Sequence, residues 1–224
     1  MKKRILSIGL VLCSLFSFVP IIFAATNIDT ASTWAHDGIQ EAVAKGFVPT
    51  DLQNNYTNII TRQEFCRMAV KWLEYALNMD IDMILTMYGL SRDTNAFTDT
   101  DNPDILAAFA FGITSGVGNN RFNPNGSFTR EQAATMIMNT CIAAFMDSND
   151  DEDSGFEDIA DASDWALDGI NFVFNYGIMQ GTGNNNFNPK AAYTREQSII
   201  TFNNIDFDKP HNAWHGHSEN FEVF

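Results

Sequence analysis

Cationic side chains are scarce in this sequence: 13 Lys+Arg stand against 28 Asp+Glu, a formal net charge of −15. A chain so charged cannot replace the counterions of a phosphate backbone, which argues against nucleic acid as a partner. It also argues against adsorption to an anionic membrane. Three cysteines in 224 residues are too few for a disulfide framework. Of the four histidines, only His36 lies ahead of the C-terminal stretch, and no nucleophile–His–acid pattern accompanies it. The sequence therefore predicts no enzyme and no cofactor. What the chain does have is apolar content, 45% of residues, enough for a packed core.

The uncharged run from Ile5 to Phe23 follows Lys2-Lys3-Arg4 and precedes the small pair Ala24-Ala25. That order reads as a secretory signal peptide over residues 1–25, in preference to a retained anchor or a lipidated Cys13. Its removal takes three cations and no acid, carrying the formal charge from −15 to −18. No membrane contact is expected after cleavage, and a secreted location follows.

Self-comparison shows a repeat. Gly112-Ile-Thr-Ser-Gly-Val-Gly-Asn-Asn-Arg-Phe-Asn-Pro124 matches the run from Gly177 to Pro189 at an offset of 65, which also carries Thr129-Arg130-Glu131-Gln132 onto Thr194-Arg195-Glu196-Gln197. A third copy lies upstream, with Thr61-Arg62-Gln63-Glu64 and with Trp34-Ala35 corresponding to Trp165-Ala166. The expected organisation is repeat one at 26–78, a connector at 79–95, repeat two at 96–147, an acidic connector at 148–154, repeat three at 155–207 and a tail at 208–224.

Each repeat predicts a first helix ending at a glycine, a Gly/Asn/Pro turn, and a longer second helix opened by threonine. Phe65, Cys66, Met68, Ala69, Trp72, Leu73 and Ala76 form the apolar stripe of one second helix. Ala133, Ala134, Met136, Ile137, Thr140, Cys141 and Ala144 form its counterpart. Cys66 and Cys141 sit seven positions apart on equivalent helices. In parallel packing that is about 10 Å of rise, beyond disulfide reach, so two free, buried thiols are expected.

Thr61, Thr129 and Thr194, with Glu64, Gln132 and Gln197 three positions on, read as capping boxes. Arg62, Arg130 and Arg195 occupy the first helical position, where a cation opposes the helix dipole. They call for an anion: either an internal carboxylate, for which Asp99 and Asp158 are candidates, or an external one held by arginine and helix amides together. On either reading the arginines should add little to stability. Trp34 and Trp165 read as core ahead of a sugar-stacking platform.

Other signals are weaker. Asp147, Asn149, Asp151, Asp153 and Asp158 imitate a calcium loop, but Glu152 stands where glycine is needed. His211, His215 and His217 lack a supporting metal cage, so no metal is expected.

The Trp-Ala…Ile…Gly helix, the Gly-x-Gly…Phe-x-Pro loop, the Phe-x-Asp starts at Phe97–Asp99 and Phe156–Asp158, and Ile60-Thr61-Arg62-Gln63-Glu64 with its counterparts together resemble the S-layer homology domain, whose hallmark is Ile-Thr-Arg-Ala-Glu. The resemblance covers residues 26–207. It implies a mostly α fold of three helical-hairpin prongs, in a pseudo-threefold assembly around a central helix bundle. It implies non-covalent anchoring to a bacterial cell wall or surface layer through secondary cell wall polysaccharide, often pyruvylated, with other surface-layer proteins as a second class of partner. The alternative is an assembly protein of the surface layer without glycan affinity. The resemblance carries the glycan-binding role onto Arg62, Arg130 and Arg195; Trp34, Trp165 and Glu64 complete the candidate site. Arg62 is expected to matter most, because repeat one keeps both the tryptophan and the glutamate.

Overall fold

The structure, a computed structural model, describes residues 27–146 and 152–206. Residues 1–25, the calcium-like positions Asp147, Asn149 and Asp151, and the histidines of the tail lie outside the described residues. Among the described residues the fold is helical, with seven α-helices and no strand. The helices are α1 (His36–Lys45), α2 (Arg62–Leu77), α3 (Ile81–Tyr88), α4 (Pro103–Ala110), α5 (Arg130–Ala143), α6 (Leu167–Asn175) and α7 (Arg195–Asn203). None is long and apolar enough to cross a membrane.

The expected caps are present. Thr61 and Thr194 head α2 and α7 in full capping boxes with Glu64 and Gln197, while at α5 Gln132 accepts from Thr129 N but the Thr129 hydroxyl makes no cap bond. Gly46 ends α1 at φ 85°, the left-handed conformation a helix C-terminus favours. Two expectations are corrected. The connector at 79–95 contains α3, capped by Asp80 and burying Ile81, Ile84 and Leu85. The second helix is not the longer one in repeat three, where α6 and α7 both have nine residues.

Helix pairing is offset from the sequence repeats. α2 packs chiefly on α4, α5 on α6, and α7 on α1, so each principal pair joins the second helix of one repeat to the first helix of another. The α5–α6 approach is close enough that a Cβ at Gly169 would lie 2.7 Å from the Cα of Thr135.

Hydrogen bonds link the three repeats in a closed circuit. At the start of α2, Arg62 N donates to Gly126 O and Gln63 N to Pro124 O, each at 3.0 Å. Arg130 N and Glu131 N at the start of α5 donate to Ala191 O and Pro189 O. Arg195 N and Glu196 N of α7 return to Asn58 O and Tyr56 O of repeat one. These are the orphan amides of a helix's first turn, and the loop of another repeat satisfies them. Phe65 of α2 draws Phe128 to 4.5 Å and Phe202 of α7 to 5.2 Å between ring centroids. One aromatic core is thus shared by all three repeats. Cys66 and Cys141 are free and buried in it, and burial pushes both thiols up.

Candidate functional site

The Gly/Asn/Pro loops of repeats two and three are held by aspartates. Asp99 accepts from Phe122 N and Asn123 N at 2.8 and 2.9 Å; Asp158 accepts from Phe187 N and Asn188 N at 2.8 and 2.7 Å. Asp99 also pairs with Arg121 at 3.5 Å, and among the described residues neither aspartate is an ion-pair partner of Arg62, Arg130 or Arg195. Arg62 instead donates from Nε to Phe122 O and from Nη2 to Ser115 O, both at 2.9 Å, clamping the two limbs of the repeat-two loop. Arg130 does the same in the next loop, donating to Phe187 O and Gln180 O at 2.8 Å. The guanidinium carbons lie 4.9 Å from the Phe122 ring centre and 4.7 Å from that of Phe187.

These two arginines are 9% and 7% exposed, and among the described residues neither has a carboxylate within ion-pair distance. Burial pulls both guanidinium pKa values down from the ordinary value, although arginine stays protonated. Against the expectation that the arginines add little to stability, each of these two holds one buried and one partly buried carbonyl of another repeat, which argues for a structural contribution. The expectation that helix amides share in holding an anion is overturned too, since those amides are spent on the loops.

Each clamp stands at a groove assembled from three repeats. Groove one, about 350 Å³, is lined by Arg62, by the loop 112–117, by Gln132, Thr135 and Asn139 of α5, and by Trp165. Groove two, about 360 Å³, is lined by Arg130, by Gln180 to Thr182, by Gln197, Thr201 and Asn204, and by Trp34. Trp34 and Trp165 are 45% and 55% exposed, so they are groove walls and not core. Core was expected because the two tryptophans open apolar helices. In fact each sits on a 3-10 turn, Thr33–Ala35 or Asp164–Ala166, just before its helix.

The third arginine differs. Arg195 donates to Asn54 O at 3.1 Å and pairs with Glu64 at 2.6 Å. Its guanidinium is neutralised inside the fold, and Thr100 occupies the place in repeat two, 65 residues before Trp165, that a tryptophan holds in the other repeats. Glu64 is thus Arg195's ion-pair partner and the acceptor for Thr61 N, not a companion of Arg62. Trp34 likewise faces Arg130 rather than Arg62. The reason given for ranking Arg62 first therefore fails.

Two further acids were missed. Glu131 accepts from Ser163 N at 2.9 Å and Ser163 Oγ at 3.3 Å. Glu196 accepts from Ser32 N and Oγ, both at 2.9 Å. Each fixes the turn that carries Trp165 or Trp34. The signal was present: serine stands two positions before both tryptophans, and glutamate follows arginine in repeats two and three.

Comparison with known proteins gives a family match. Residues 93–134 and 155–197 each match the S-layer homology domain model. The chain is 30% identical to Exoglucanase XynX of Acetivibrio thermocellus over 187 residues, covering 78% of this chain and 16% of that protein. It is 26% identical to the Surface-layer 125 kDa protein of Lysinibacillus sphaericus over 194 residues, 83% of this chain and 15% of the relative. It is 30% identical over 112 residues to a Cell surface protein of Thermoanaerobacter kivui, 47% of this chain and 15% of the relative. The chain thus spans less than a fifth of the length of each of these relatives.

Proposed function

We propose that this chain anchors to the bacterial cell wall by holding an anionic wall polysaccharide in grooves one and two. The observation that carries this reading is the pair of nearly buried guanidiniums, Arg62 and Arg130, left without a carboxylate among the described residues in a chain of net charge −15. Such a charge is costly unless something anionic meets it. An exposed tryptophan lining the same groove as each arginine offers a face on which a sugar ring can stack. A pyruvate ketal supplies the required carboxylate on a neutral sugar, and charge-assisted contacts of this kind are worth roughly 1.5–3 kcal/mol each.

Relatives named as a surface-layer protein and a cell surface protein support a cell-surface location. Three relatives carry enzyme names, exoglucanase, amylopullulanase and endoglucanase, and the match covers only 16%, 9% and 21% of them, which supports an anchoring module over a catalytic one. The third position, neutralised by Glu64, takes no glycan in this reading.

The exposed tryptophans give the cleaner test, because the arginines also hold loops. Trp34→Ala and Trp165→Ala should each weaken binding to polysaccharide-bearing walls at least tenfold while shifting stability by less than about 1 kcal/mol. Unchanged binding in both variants would remove the grooves as the site.

A further inference from the structure

The two grooves differ at one buried carboxylate. Glu131 beside groove one and Glu196 beside groove two hold equivalent places, 4% and 5% exposed, each bonded to the serine ahead of a tryptophan. Glu131 is also met by an ammonium. Lys190 Nζ lies 2.7 and 2.8 Å from its two oxygens and 2.6 Å from Ser163 Oγ. Lys190 follows Pro189, whose carbonyl accepts from Glu131 N. In the corresponding place Tyr56 O accepts from Glu196 N, and the residue that follows is Thr57, which is exposed and carries no charge. In repeat one the acid itself is gone: Gln63 bonds Asn125 across the same contact at 3.0 Å.

Two of the three copies are therefore internally matched, glutamate with lysine and glutamine with asparagine. The third, Glu196 with Thr57, leaves a buried carboxylate that no cation of the described residues meets. Glu196 is among the residues lining groove two together with Trp34, whereas Glu131 is not among those lining groove one. A buried anion is retained at low cost only when a positive group compensates it, and an exposed indole beside it favours a cation as well.

We propose that groove two selects glycans that carry a free primary amine, with Glu196 and Ser32 Oγ receiving the ammonium as Glu131 and Ser163 Oγ receive Lys190. With Arg130 lining the same groove, the site suits a segment bearing both an ammonium and a carboxylate, whereas groove one takes the carboxylate alone. This rests on the wall-anchoring reading above and names the ligand chemistry of one of its two sites.

The test uses one purified wall polysaccharide in two chemical forms, de-N-acetylated and fully N-acetylated, titrated against residues 26–224. The parent should bind the free-amine form at least tenfold more tightly. Thr57→Lys places an ammonium where Lys190 stands in the sister site. It should bring the two forms within twofold while leaving affinity for the N-acetylated form unchanged. Glu196→Gln should also abolish the preference, with circular dichroism checking that the Ser32 turn survives. Equal affinity of the parent for both forms, or a preference that persists in Thr57→Lys, would overturn the proposal and leave wall anchoring intact. Binding of neither form would overturn the anchoring reading and this one with it.

Discussion

Arginine at the first turn of a helix is electrostatically misplaced, and here the misplacement has a structural use. Arg62 and Arg130 reach out of their helices to bind two carbonyls of another repeat, and only then present an edge to a groove. Arg62→Ala or Arg130→Ala should lower stability by about 2–4 kcal/mol in urea titrations, since charge-assisted bonds to one buried and one partly buried carbonyl vanish. A change under 1 kcal/mol would show that the clamps are ornamental. The cysteines give a second residue-scale expectation. Burial raises both thiol pKa values, so Cys66 and Cys141 should resist a thiol reagent at pH 8 in the folded chain and react as two thiols once denatured. Which carbonyls an arginine binds was not legible in the sequence, because a backbone acceptor has no side-chain signature. That the arginines needed partners was legible from their helix position alone.

At the scale of elements, the repeat, its caps and its terminating glycines were readable because each depends on residues a few positions apart. The helix pairing was not, since α5 meets α6 rather than α4 through contacts between different repeats. Gly169 marks that pairing. Gly169→Ala would press a methyl against the Thr135 backbone and should cost roughly 1–3 kcal/mol. Gly38→Ala on α1 meets only the flexible end of Ile200 and should cost less. The connector helix α3 was overlooked although Asp80, the Ile81/Ile84/Leu85 spacing and Gly89 signal it; eight residues are a short window for periodicity. The loops carry the acid dependence. Hydrogen bonding from Phe122 N above all holds the Asp99 carboxyl below its usual value. With the folded pKa depressed, this contribution is fully present above the unfolded value near pH 4 and is lost as pH falls through the folded pKa. Asp99→Asn should flatten that acid limb in melts taken at successive pH values.

For the whole molecule, the hydrogen-bond circuit matters more than any one hairpin. It explains why a groove needs an arginine, a loop and a tryptophan from three different repeats. No repeat read alone shows a site. The sequence shows the parts, and only closure of the circuit decides that Trp34 faces Arg130 and Trp165 faces Arg62. Residues 26–150, lacking repeat three, would leave Arg130 N and Glu131 N without acceptors and expose Phe65 where Phe202 covers it. That fragment should show no cooperative melt. The most direct measurement of the central claim is co-sedimentation of residues 26–224 with purified cell walls, before and after chemical removal of the attached polysaccharide. The account predicts binding to intact walls, its loss on stripped walls, and its loss from intact walls for the Trp34→Ala/Trp165→Ala double variant at unchanged melting temperature. Equal binding to stripped and intact walls would contradict it.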